Sequence, residues 1–278
     1  MTIQWFPGHM QDTEKGLIQA VSKVDLVLEI LDARLPCSSA NPFVDKLSRK
    51  TTRLKILNKQ DLADPDVTVR WLDYFNQTLE CPAVSITGTN RTETIKALNF
   101  GLQRVTRNKA RKAKVMVAGI PNTGKSTILN TLAGKKVAKT GNVPAITRHQ
   151  QRTSLVNNVD IYDTPGILWP VIEPQSRAYI LAASGAISDT AIDYTEIAFY
   201  ISDWLLTHYP DALMARFDFL ESLPASSEAL IEAIGKARGC LKKGGIVNLQ
   251  KASELLIREL RSGKFGTISF ETPEDIDI

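Results

Sequence analysis

Eight consecutive residues, Gly119 to Ser126, read GIPNTGKS. Two glycines flank four residues, and Lys and Ser follow. Glycines at those positions let backbone N–H groups curl around an anion, a lysine there reaches terminal phosphates, and a serine hydroxyl there ligates magnesium. Asn122, Thr123, Gly124, Lys125, Ser126 and Thr127 are therefore candidate phosphate contacts, with Lys125 also catalytic and Ser126 a magnesium ligand. Asp163 to Gly166 reads DTPG. An aspartate at a strand end can hold magnesium through water, and the Gly166 amide can bond a γ-phosphate and register its loss. Asn58, Lys59, Gln60 and Asp61 read NKQD. The Asp61 carboxylate can accept two hydrogen bonds from guanine, at N1 and the 2-amino group, where adenine offers no such pair. Ser85 to Gly88, SITG, would line the base from the other side through Ser85, Ile86 and Thr87. Thr147, between the glycine-rich loop and DTPG, is the candidate that closes over magnesium when the γ-phosphate is present.

Each of these motifs needs a strand to aim it. Val24 to Leu31, Leu54 to Leu57, Ala83 to Ile86, Val115 to Ile120 and Asp160 to Tyr162 are short apolar runs of that kind. Helical candidates from Gln11 to Ser22, Val67 to Leu79, Glu93 to Val105 and from Lys125 onward alternate with them, a pattern that predicts a mostly parallel sheet covered on both faces. Beyond Pro174 the pattern changes. Tyr194 to His208, Ser227 to Ala237 and Asn248 to Ser262 carry apolar residues at helical spacing, and the reading is an α/β domain over 1–172 and an all-α domain over 173–278.

Composition narrows the class. A chain of 278 residues with 43% hydrophobic and 23% charged residues has room for two cores, and it has no apolar run of membrane-spanning length. The first ten residues lack the pattern of a secretory signal, and three well-separated cysteines form neither a disulfide framework nor a metal site, so a cytoplasmic protein without membrane contact is expected, and separately a monomer. Between Thr94 and Val159 lie 13 Lys or Arg residues and no Asp or Glu, although the whole chain has 34 basic and 30 acidic residues. Such a block suits a polyanion, whether nucleotide or RNA; the plainer alternative is a solvated surface.

Motif order is distinctive: the base-reading segments come first, the phosphate loop next and the phosphate-sensing segments last. This order, with WFPGHM at Trp5 to Met10, Asp32 to Arg34, DTPGILWP, RGC at Arg238 to Cys240, ASELL at Ala252 to Leu256 and RSGK at Arg261 to Lys264, resembles the circularly permuted GTPases of the YlqF/RbgA family. The resemblance spans nearly the whole chain. It implies a permuted P-loop GTPase fold with a C-terminal all-α domain, and magnesium-dependent GTP hydrolysis. It further implies action on the precursor of the large ribosomal subunit, with ribosomal RNA as a contact of the helices and the basic block. An alternative is a GTPase acting on another RNA or RNA–protein partner. Arg104 to Lys114 would be the join that permutation requires.

The resemblance also bears on catalysis. Ile167 follows Gly166, where Ras-like proteins carry a water-orienting glutamine. His9, in the family's N-terminal motif, is the candidate water-positioning residue, and His149 is the rival. Asn122 resembles the asparagine that binds potassium in cation-dependent GTPases. Ala145 stands where the family commonly has glycine, a departure that bears on switch timing and leaves nucleotide binding untouched. A small-molecule kinase would have no need of NKQD, and a nucleotide-binding module without activity would have no need of Lys125, Ser126, Thr147 and Asp163 together.

Overall fold

A computed structural model describes residues 18, 21–48, 51–79, 81–106, 111–138, 151–155, 158–164, 166, 168 and 172–276. His9, Thr147, His149 and Ala145 lie outside the described residues.

The α/β unit runs β1 (Leu26–Asp32), α1 (Pro36–Ser39), α2 (Pro42–Leu47), β2 (Thr52–Asn58), α3 (Pro65–Asp73), β3 (Ala83–Ile86), α4 (Arg91–Leu102), β4 (Ala113–Ala118), α5 (Lys125–Ala133), β5 (Gln151–Leu155) and β6 (Val159–Asp163). The sheet order is β3-β2-β1-β4-β6-β5, parallel throughout except where edge strand β5 pairs antiparallel with β6. The β-branched and leucine-rich strands are buried on both faces, as parallel strands under helices must be. In β1 all seven residues are buried. Its even-numbered members Leu26, Leu28 and Ile30 pack with Leu54, Val115, Ile161 and helices α4 and α5, whereas Val27 and Leu31 face the opposite side, toward Val44 and Trp71 respectively.

The expected strands are all present, with bounds shifted by up to two residues. The antiparallel β5, GlnArgThrSerLeu, was not foreseen because it is polar and sits at an edge, where one side needs no apolar cover. The helix expected from Val67 to Leu79 is α-helical only to Asp73 and continues as a π-turn over Tyr74–Thr78.

The second unit, Ile172–Ile268, holds α6 (Gln175–Ser184), α7 (Tyr194–His208), α8 (Pro210–Arg216), α9 (Ser227–Ala237) and α10 (Leu249–Arg261). Asp193, Ser226 and Asn248 cap α7, α9 and α10 with side-chain oxygens on backbone N–H groups. These three helices pack on one another through Ile197, Ile201 and Leu205, through Leu230, Ile231 and Ile234, and through Leu256 and Leu260. The expectation of one helical domain reaching the C-terminus needs a correction. Residues from Ser269 onward group with the α/β unit. The cause is a set of hydrogen bonds to Arg34, Ser38, Asp64 and Trp71, whose donors and acceptors no helical periodicity could announce.

Candidate nucleotide site

Strand β4 lies mid-sheet between β1 and β6, and the phosphate-binding loop leaves its C-terminal end, where ligands bind in open α/β sheets. Gly119 has φ 147° and a Cβ there would lie 2.5 Å from the Ile30 carbonyl oxygen, so only glycine fits. Asn122 and Gly124 also adopt left-handed φ, 61° and 96°. The curl delivers the chain into α5, whose first residue is Lys125. The Lys125 ammonium is buried and donates to the Ile120 carbonyl at 2.6 Å, and the Thr123 hydroxyl donates to the same oxygen at 3.2 Å.

Burial pushes the Lys125 ammonium down from its ordinary 10.5 to about 8, with Asp163 opposing and Lys59 adding to the fall. Phosphate oxygens beside it would favour the charged form and raise the value again. Nucleotide binding above about pH 8 is therefore expected to take up protons, and affinity to fall as pH rises through that value. Calorimetry in buffers of different ionisation enthalpy checks this, with Lys125→Met expected to abolish the uptake.

DTPG comes from the next strand. Asp163 ends β6 opposite Val117 of β4 and is 1% exposed. The Thr164 hydroxyl donates to the Val117 carbonyl at 2.7 Å, which fastens the segment to the phosphate-loop strand. Gly166 lies so close to the loop that an added Cβ would be 2.8 Å from the Pro121 nitrogen and 3.0 Å from Lys125 Nζ. Both phosphate motifs thus meet at one place.

NKQD and SITG, the candidate base-reading segments, arrive from β2 and β3. Asn58 does more than its motif position suggests. Its Nδ2 donates to the Thr123 carbonyl at 2.7 Å and its Oδ1 accepts from the Gly88 amide at 2.8 Å, so one buried amide ties the phosphate loop to SITG. The close approach leaves no space: a Cβ on Gly124 would be 2.1 Å from Asn58 Nδ2 and one on Gly88 2.6 Å from Oδ1. Lys59 takes a left-handed φ of 64°, which turns the chain into a 3-10 turn over Gln60–Leu62 carrying the exposed Asp61. Gln60 points elsewhere, donating to Glu93 Oε2 at 2.9 Å, and that same oxygen accepts from the Thr87 amide at 2.7 Å. Glu93 therefore joins the NKQD and SITG loops through shared hydrogen bonds, a contact invisible in a sequence where it reads as an ordinary first-turn acid of α4. Ser85 and Ile86 end β3 beside Leu57 and Asn58.

Beneath Lys59 lies a buried ion cluster. Lys59 Nζ donates to Asp32 Oδ2 at 2.8 Å, and the Arg34 guanidinium grips the same carboxylate with Nε at 3.0 Å and Nη2 at 2.9 Å. Burial raises the Asp32 pKa, but Arg34 and Lys59 outweigh it and hold the carboxyl well below the usual range. Asp32 and Arg34 stay charged at any ordinary pH, while burial lowers the Lys59 ammonium pKa against the pull of Asp32.

The arrangement gathers the glycine-rich loop, DTPG and NKQD at the C-terminal ends of β4, β6 and β2 in one sheet. The family profile described as "50S ribosome-binding GTPase" matches residues 114–214, which begins within β4 and leaves NKQD ahead of the match. "Ribosome biogenesis GTPase A" of Priestia megaterium is 40% identical over 100% of this chain and 99% of its own length. The chain belongs to the ribosome biogenesis GTPase A family. Two solved YlqF structures agree: a GDP-bound one has 31% identity and a TM-score of 0.70, covering 94% of this chain and 100% of that one. The GNP-bound structure from T. maritima has 31% identity and a TM-score of 0.71, covering 96% of this chain and 99% of that one. This ribosome biogenesis GTPase is thus a GTP-binding and GTP-hydrolysing protein of the P-loop class, and its chemistry calls for a divalent metal ion. Among the described residues, no helix is long and apolar enough to cross a membrane.

Proposed function

We propose that GTP binding and hydrolysis set the affinity of this protein for a precursor of the large ribosomal subunit, with ribosomal RNA as the contact and the cytoplasm as the place of action. The observation that carries the reading is Asn58, whose amide ties the phosphate loop to the SITG loop beside NKQD, in a chain whose relatives are named for ribosome biogenesis. Guanine is read by Asp61, with Ser85, Ile86 and Thr87 across the base, and the phosphates lie along Asn122 to Thr127 with Gly166 on the γ-phosphate. The donor chemistry suits magnesium: a hydroxyl at Ser126 in the first turn of α5 and the Asp163 carboxylate at the end of β6, beside the Lys125 ammonium. When bound, the ion neutralises charge on the β- and γ-phosphates. Thr147 would complete the ligand set in the GTP state, and Lys125 would steady the charge that develops on transfer.

In this reading the protein acts as a monomer. Affinity for purified large-subunit precursor particles, at one fixed salt concentration because RNA contacts are salt-sensitive, should be about 5- to 150-fold tighter with a non-hydrolysable GTP analogue than with GDP. Equal affinities would remove nucleotide control. Binding of unrelated structured RNA with the same preference would point to a different RNA partner.

Two finer assignments concern turnover. Asn122, with its left-handed backbone in the phosphate loop, is proposed to hold potassium, and His9 to position the attacking water, with His149 as the rival. Turnover is expected to rise when potassium replaces sodium at equal ionic strength, and to fall about 10²-fold in His9→Ala with nucleotide affinity unchanged. Equal rates in both salts remove potassium, and an unchanged rate in His9→Ala hands the water to His149.

A further inference from the structure

The residues after Ile268 are unused by the reaction as described so far, yet they are pinned to both flanks of the guanine-reading loop. On one flank, the Phe270 amide donates to the Arg34 carbonyl at 2.7 Å. Arg34 holds Asp32, and Asp32 holds Lys59 of NKQD. The Glu271 carboxylate accepts from the Ser38 amide at 2.8 Å and from the Ser38 hydroxyl at 2.6 Å, at the start of α1. The neighbouring Ser39 hydroxyl accepts from the Asp32 amide at 3.0 Å. On the other flank, the Asp64 amide, three residues past Asp61, donates to the Ser269 hydroxyl at 3.1 Å. The fully buried Trp71 of α3 donates its indole N–H to the Glu271 carbonyl at 3.0 Å, and Arg70 pairs with Glu274. Ser269 and Phe270 are themselves buried, at 3% and 4% exposure.

Loops 32–39 and 59–65 belong to different crossovers, and backbone hydrogen bonding joins them only as far as Ala33 and Asn58. Beyond that point both are held by the same C-terminal segment. We infer that residues 269–274 form a strap that positions Asp61 for guanine, so that Ser269 and Glu271 are positioning residues for base selection although neither touches the nucleotide. This rests on Asp61 being the guanine reader.

The physical argument is one of preorganisation. Asp61 sits on an exposed turn, and a carboxylate selects between purines only when its two oxygens are held in the plane of the base. The ion cluster beneath Lys59 fixes the start of that turn and the Asp64 amide fixes its end. Without the strap, the turn keeps the cluster below it but loses the Ser269 anchor on its far side and the Glu271 anchor on α1. Asp61 would then sample orientations in which only one of its two hydrogen bonds forms.

Inosine triphosphate tests this, because it has guanine's N1 donor and lacks the 2-amino group. The ratio of ITP to GTP dissociation constants thus reports the second Asp61 hydrogen bond, and a general loss of folded protein cancels from it. In this chain, Ser269→Ala with Glu271→Ala is expected to lower that ratio about 5- to 10-fold, a partial loss beside the more than about tenfold that losing one charge-assisted hydrogen bond outright would cost. Glu271→Gln, which keeps one acceptor oxygen for Ser38, should fall between wild type and Glu271→Ala. Ser38→Ala, which cuts the same contact from the other side, is the variant to read if the double substitution fails to fold. An unchanged ratio in the strap variants overturns the inference, whatever happens to melting temperature. Asp61→Ala is run beside them: if it leaves the ratio intact, the base is read elsewhere and both readings fall together, whereas a lowered ratio there with intact strap variants removes the strap alone.

Discussion

Asp61→Asn is expected to weaken GTP binding by about 10²-fold or more and to make xanthosine triphosphate the better ligand. Each hydrogen bond to a charged acceptor contributes about 1.5–3 kcal/mol, and two are at stake. The asparagine amide keeps one acceptor but turns a donor toward the guanine 2-amino group, so a favourable pair becomes donor facing donor. Xanthine, with a 2-oxo group, restores the match. The surrounding geometry makes a clean swap plausible on physical grounds. Asp61 is exposed at the turn, whereas Lys59 below it is committed to Asp32 and Gln60 to Glu93, so the substitution disturbs no buried ion pair. Equilibrium titration with fluorescent GTP and XTP analogues checks the result. Unchanged GTP affinity would show that the base is read by other groups.

The contrast between Asp61 and its neighbours also shows what the sequence could and could not reveal. The placement of Asp61, Lys125 and Asp163 was legible because it depends on local spacing, a strand end or a tight turn directly after a strand. The phosphate loop needs glycine where φ turns positive, and a glycine pattern is visible in the letters alone. Glu93, Arg34, Ser38 and Glu271 were not legible as parts of the site. Glu93, Ser38 and Glu271 act through partners 33 or 233 residues away and the Arg34 carbonyl takes the Phe270 amide, and in each case the local reading conceals the distant contact. Glu93 looks like a helix-start acid, and Glu271 like one of several acids in a polar tail. The same holds for the fold. Strands buried on both faces announce themselves by unbroken apolar runs, as in β1, but β5 is polar because it needs only one neighbour. The short helices α1 and α2 are too brief for periodicity to show and are set by Pro36 and Pro42 at their first turns, with Asn41 capping α2.

Gly166→Ala is expected to lower GTP turnover by about 10²-fold while leaving GDP affinity within a few-fold of wild type. The added Cβ would stand 2.8 Å from the Pro121 nitrogen and 2.9 Å from its Cα, and these are backbone atoms of the phosphate loop that cannot rotate aside. Lys125 Nζ, at 3.0 Å, is the end of a flexible chain, but it is buried and held by the Ile120 carbonyl, so it has little freedom to yield. The DTPG segment must therefore back away from the loop. That retreat removes the Gly166 amide from the position it needs to bond a γ-phosphate oxygen, and removal of one preorganised donor to developing charge costs about 10²–10³ in rate. GDP has no γ-phosphate and makes no use of that amide. The cost should therefore fall on the triphosphate state, and the preference for a non-hydrolysable GTP analogue over GDP should shrink with the rate. Single-turnover hydrolysis, read beside the two dissociation constants, separates the outcomes. A rate within threefold of wild type would mean that DTPG reaches the γ-phosphate by another route. Equal losses of GDP and GTP-analogue affinity would mean that the clash deforms the phosphate loop itself, and Asn58, which hydrogen-bonds the Thr123 carbonyl of that loop, would carry the strain to the base-reading side.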